Sequence, residues 1–236
     1  SYYSRTALRE LKKRYLNILK KCFLANLMAF SFVLPVQAET AESTLTPSEE
    51  LETVVKDSSN FSRTIISSDT TIDLAGKNLT YKDIRSSSNG GVFYVNSGKK
   101  LEFINSSETT DPLLLFENNK ASKGGAIYNN GATSTFNGDA TFTGNSASSA
   151  GGAIYNDDGT ITFGGDATFT GNSGTGSYTY GGAIYNSSGT ITFGGETTFT
   201  NNSSSYYGGA IHNTGSNAII TFGGETTFTN NSSSYY

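Results

Sequence analysis

One cysteine, one methionine, one histidine, three prolines and no tryptophan occur in this sequence, and each scarcity excludes something. Cys22 and Met28 both lie in an apolar stretch near the start, so removing that stretch leaves no thiol chemistry and no disulfide. Cations are the second shortage, because residues 124–236 hold no Lys or Arg against six acids. Nucleic-acid binding, which depends on phosphate neutralisation, is therefore not expected. The lone histidine, His212, stands where Tyr128, Tyr155 and Tyr185 stand in neighbouring repeats, and reads as one member of an exposed aromatic column. No metal or cofactor is expected from so few ligand side chains. What the chain has instead is 27 glycines, 14 tyrosines and 15 phenylalanines, a composition of turns and strand formers.

The first 38 residues differ in kind. Arg5, Arg9, Lys12, Lys13, Arg14, Lys20 and Lys21 precede an apolar run over residues 22–36, which ends at Val36-Gln37-Ala38. A basic region, an apolar core and small residues before a cleavage point describe a secretory signal helix, cut between Ala38 and Glu39. The run is shorter than the ~20 residues of a membrane span, and Pro35 interrupts it. Cleavage would leave nine basic and 19 acidic groups. Residues 39–60 read as a linker or short leading helix, 61–123 as an N-terminal cap with irregular first coils, and 124–236 as tandem coils. The last five residues, Ser-Ser-Ser-Tyr-Tyr, repeat residues 203–207, so another G-G-A is expected to follow Tyr236.

Two tetrapeptides alternate through the tandem part. The first is Gly124-Gly125-Ala126-Ile127, Gly151-Gly152-Ala153-Ile154, Gly181-Gly182-Ala183-Ile184 and Gly208-Gly209-Ala210-Ile211, in steps of 27, 30 and 27 residues. The second, F-x-x-N, pairs Phe116 with Asn119, Phe142 with Asn145, Phe169 with Asn172, Phe199 with Asn202, and Phe228 with Asn231. Steps of this size are one turn of a solenoid. Aligned, the repeats give columns of Ile127, Ile154, Ile184 and Ile211; of Phe136, Phe163, Phe193 and Phe222; and of Phe142, Phe169, Phe199 and Phe228. Three clusters per period predict three short strands, each with one large inward residue. The fold class is thus all-β, a right-handed parallel β-helix behind a signal helix. Thr residues flanking the apolar ones point outward, Gly pairs fit corners, and the two Asn columns fit turns where an amide bonds from coil to coil and Asn adopts left-handed backbone.

G-G-A-I alternating with F-x-x-N over residues 90–236, behind a signal peptide, resembles the polymorphic outer membrane proteins of chlamydia-type bacteria. The resemblance implies an autotransporter: a β-helical passenger that carries the repeats, seated in the outer membrane by a C-terminal barrel. It further implies an adhesin toward host cells or other surfaces, with the paired motifs above as the candidate adhesion residues.

Other functions stay open on the residues alone. Asp139, Asp166, Glu196 and Glu225 share one register after a Gly and read as one repeated solvated turn rather than a paired-carboxylate site. Thr141 with Thr143, Thr168 with Thr170, Thr198 with Thr200, and Thr227 with Thr229 could present an ice-binding ladder. A structural spacer and, last, a polysaccharide lyase or hydrolase complete the set. The leading expectation is an adhesin that binds through an extended face, with Tyr178, Tyr180, Tyr206, Tyr207 and the Tyr128 column as its contacts.

Overall fold

A computed structural model describes residues 52–107 and 111–235. The signal peptide expected over residues 1–38 and the cleavage expected between Ala38 and Glu39 lie outside the described residues. The described chain holds 24 strands and no helix, and every strand pair is parallel. It is a β-solenoid whose coils each pass through a fixed sequence of faces.

The first face stacks Thr64–Ile66, Phe93–Val95, Ile127–Asn130, Ile154–Asp157, Ile184–Ser187 and Ile211–Thr214. The second stacks Thr70–Asp73, Lys100–Ile104, Thr133–Phe136, Thr160–Phe163, Thr190–Phe193 and Ile219–Phe222. The third stacks Thr53–Asp57, Asn78–Lys82, Leu114–Glu117, Ala140–Thr143, Ala167–Thr170, Thr197–Thr200 and Thr226–Thr229. A fourth face, which three apolar clusters per period did not predict, stacks Lys120–Lys123, Ser146–Ala150, Ser173–Gly174, Ser203–Ser204 and Ser232–Ser233. It escaped the apolar pattern because its inward residues are small, Ala121 and Ala147 among them. The solenoid also begins earlier than expected. Thr53–Asp57, inside the stretch read as linker or leading helix, pairs along its length with Asn78–Lys82.

Register is kept residue for residue, so like sits on like. Phe136, Phe163 and Phe193 are aligned across three coils, as are Phe142, Phe169 and Phe199. Ring centroids within each column are 4.6 to 5.1 Å apart from Phe103 to Phe222. The other column runs from Phe116 to Phe228 at 4.8 to 4.9 Å. Both match the spacing of hydrogen-bonded strands. Between columns the rings meet edge to face, as Phe142 and Phe163 do at 87°. Offset stacks along the axis and T-shaped contacts across it are the two arrangements a ring quadrupole favours. Each such Phe contributes about 1.5–3 kcal/mol by burial.

Glycine pairs sit at the corner between the fourth and first faces, for two separate reasons. Gly151 has φ +63°, which an L side chain rarely adopts, while a Cβ on Gly152 would run into the carbonyl of Gly182 and the backbone of Ser173. The 30-residue step leaves register intact on the first three faces, because its three extra residues fall after Asn172, in the fourth-face segment that ends at Tyr180.

Candidate functional site

The structure places the paired motifs inside. Gly124 to Ile127, Gly151 to Ile154 and Gly181 to Ile184 are buried, as are Phe142, Asn145, Phe169, Asn172, Phe199 and Asn202. In the last described coil Gly208, Gly209, Ile211 and Asn231 are partly covered, Ala210 is buried and Phe228 is open. These residues bring the coils together, and only what they leave outside can meet a partner.

Both Asn columns are hydrogen-bonded ladders. Asn129 donates to Asn156, Asn156 to Asn186, and Asn186 to Asn213, amide to amide at 2.7 to 2.8 Å. In the second ladder Asn119, Asn145, Asn172, Asn202 and Asn231 are joined at 2.9 to 3.0 Å. No buried side-chain polar atom among the described residues lacks a partner. The left-handed backbone expected of the ladder Asn falls instead on its neighbours: Asn118, Gly144, Gly171, Asn201 and Asn230 have positive φ. A ladder Asn must point inward to reach the next amide, so in this second ladder the turn is made by the residue before it, and in the first by the residue two after it, Gly131, Asp158, Ser188 and Gly215. Alternation of Gly and Asn at the second x of F-x-x-N was the available signal.

Outside, three surfaces differ in chemistry. On the second and third faces the outward positions are Thr in register, such as Thr141, Thr168, Thr198 and Thr227. Threonine is what an exposed strand favours in any case. Where those faces meet, Asp139 Oδ1 accepts from the backbone of Asp166 at 2.7 Å, and Asp166 Oδ1 from that of Glu196 at 2.8 Å. The acids therefore bind the stack to itself. Among the described residues no group of three or more His, Cys, Asp or Glu converges as a metal site would require, and no helix is long and apolar enough to cross a membrane.

The third surface is aromatic, and the corner between the fourth and first faces builds it. The residue after each G-G-A-I, and after the variant Gly90-Gly91-Val92-Phe93, gives the column Tyr94, Tyr128, Tyr155, Tyr185 and His212, with centroids 5.0, 4.9, 4.6 and 5.3 Å apart. This column is not uniformly exposed, contrary to expectation. Tyr128 and Tyr155 are only 5% and 7% exposed, packed against Ala150 with Tyr94, Tyr180 and Tyr185 around them. Burial and the charge of Asp157 raise the phenol pKa of both, Tyr128 also donating to Asp157 Oδ2 at 2.6 Å. Burial lowers the pKa of His212. Toward the later coils the aromatic surface opens. Tyr178 is 71% exposed, and Tyr180, Tyr206 and Tyr207 are partly so. Tyr180 links them, with centroids 5.4 Å from Tyr206 and 5.3 Å from His212.

Four segments, residues 113–130, 139–157, 166–187 and 196–214, match the Chlamydia polymorphic membrane protein repeat. Each match runs from the third face through the fourth to the first, so it holds the F-x-x-N ladder, the Gly pair and one rung of the aromatic column. No curated protein and no solved structure matches the chain.

Proposed function

We propose, on the premise that this chain belongs to the Chlamydia polymorphic membrane protein family through its four repeats, that it is the passenger of a surface autotransporter and acts as an adhesin rather than an enzyme. A solenoid of closely similar coils suits a passenger, because each coil adds length without needing a new core. The observation that carries the adhesin reading is the tyrosine edge. Buried motifs leave an outer surface of Thr, Ser and Gly, and on it Tyr178, Tyr180, Tyr206, Tyr207 and Tyr235 gather at one corner. Tyrosine gives a large contact for two side-chain torsions and a hydroxyl for hydrogen bonding, which suits recognition of a surface. The protein would sit at the outer membrane, held by a barrel of its own chain, and meet a ligand on a host cell or another surface.

The test compares the full chain with a variant carrying Tyr178→Ser, Tyr180→Ser, Tyr206→Ser and Tyr207→Ser, both shown folded by circular dichroism. Loss of binding to cells or coated surfaces is expected. Equal binding by the two would remove the edge as the adhesive face and favour a structural spacer.

A further inference from the structure

Two columns run side by side along the tyrosine edge. One is the ring column from Tyr94 to His212. The other is the residue just before each Gly pair, where Lys123, Ala150, Tyr180 and Tyr207 are aligned coil on coil. In the early coils the chain covers its own rings with cations. Arg63 Cζ lies 5.2 Å from the Tyr94 centroid, and Lys123 Nζ lies 4.7 Å from that of Tyr155. Both are within the range at which a cation is held by a ring quadrupole.

In the later coils the rings continue and the cations do not. The place of Lys123 passes to Ala150, Tyr180 and Tyr207, and no Lys or Arg occurs from residue 124 to 236. Ring geometry changes as well. Column rings lie nearly parallel, as Tyr128 and Tyr155 do at 10°, and close each other's faces. Tyr178 against Tyr206 stands at 79°, Tyr180 against Tyr206 at 85°, and Tyr180 against Tyr185 at 71°. Rings set at such angles form corners with open faces. Asp157 adds negative potential, since its charge is felt at Tyr155 and Tyr185 and raises the pKa of both after burial.

We infer that the edge formed by Tyr178, Tyr180, Tyr206 and Tyr207 receives lysine or arginine side chains from an extended basic segment of another protein, as Tyr155 receives Lys123 within the chain. This rests on the adhesin reading and names its ligand chemistry. The absence of cations from residues 124–236, with Asp157 and Asp158 at the end of the first-face strand beside the edge, would favour such a segment here. Sulfated or phosphorylated ligands are correspondingly disfavoured there.

The experiment titrates the full chain with a lysine-rich decapeptide and with the same peptide acetylated on every lysine. Tyrosine emission serves as the signal, since there is no tryptophan. The charged peptide is expected to bind and the acetylated one not. A Tyr180→Ser, Tyr206→Ser variant should bind roughly tenfold more weakly. A Tyr180→Phe, Tyr206→Phe variant, which keeps the rings, should bind as the parent does. Asp166→Asn with Glu196→Gln and Glu225→Gln, on the corner between the second and third faces, should change affinity less than twofold. Equal binding of both peptides, equal binding by the Ser variant, or a large loss on neutralising those three acids would each overturn the inference. If the Ser variant loses cell binding while the charged peptide never binds, the ligand class is wrong and the tyrosine edge stands. If the Ser variant loses neither activity, both readings fall.

Discussion

Replacing Asn172 by Ala should be among the most damaging single changes in the solenoid, and the reason can be worked bond by bond. The Asn172 amide donates to the Phe142 carbonyl at 2.9 Å and to Asn202 Oδ1 at 3.0 Å. Its Oδ1 accepts from the Asn145 backbone N–H and from Asn145 Nδ2, each at 3.0 Å. All of this is sealed from solvent, with Asn145, Asn172 and Asn202 each 0% exposed. Truncation removes four bonds. It strips the Asn145 N–H of this partner, whereas Asn145 Nδ2 keeps the Phe116 carbonyl and Asn202 Oδ1 keeps the Asn172 N–H. An orphaned buried donor costs about 1–3 kcal/mol and each weakened partner adds up to about 1, so the total is roughly 3–5 kcal/mol after relaxation. That is a large part of the ~5–15 kcal/mol that holds a domain. Urea unfolding of the full chain, followed by far-ultraviolet circular dichroism, measures it. Asn137→Ala is the internal control, because Asn137 is exposed on a corner within the stack, where water can replace its bond to Glu102. A loss below about 1 kcal/mol at Asn172, or a loss equal to that at Asn137, would refute the ladder as a cooperative hydrogen-bonded element.

Three further outcomes follow from the same geometry. Gly152→Ala should prevent stable folding, because the new Cβ meets the Gly182 carbonyl and Ser173 backbone, whereas Gly138→Ala, with open space around it, should gain up to about 1 kcal/mol; comparing their thermal midpoints checks both. Asn201, at φ +55°, occupies the place of Gly144 and Gly171, so Asn201→Gly should shift stability by less than about 0.5 kcal/mol. Burial lowers the pKa of His212 below its ordinary 6.5, so its neutral form is the one the fold favours. Its contribution is complete above pH 6.5 and is lost as pH falls through the lower folded value. The parent should therefore lose stability on acidification from pH 6.5 down to that lower value, relative to His212→Tyr, which restores the residue of the other coils; parallel pH profiles in chemical denaturation would contradict this.

The sequence by itself determined the solenoid. A repeat near 27 residues, with Ile and Phe recurring at fixed places, permits no other way to bury so narrow an apolar set than to stack it on copies of itself. The core columns of Ile154, Phe163 and Phe169, the corners at Gly151 and Gly152, and the amide ladders could all be read from alignment of the repeats. The fourth face could not, because Ala147 and the Asn ladder carry no strong apolar signal. Nor could the turn conformation, since Asn201 and Asn202 are the same residue type and only their place in the coil sends one outward and the other into the ladder. The candidate site divided the same way. Its tyrosines were visible as a column, but which of them are open was decided by packing: Ala150 and the rings around it cover Tyr128 and Tyr155, while the longer segment after Asn172 carries Tyr178 outward. Repetition fixes what lies along the axis, where each residue meets its own copy. Across the axis, residues of different turns and lengths meet, and only the folded coil settles which of them faces the solvent.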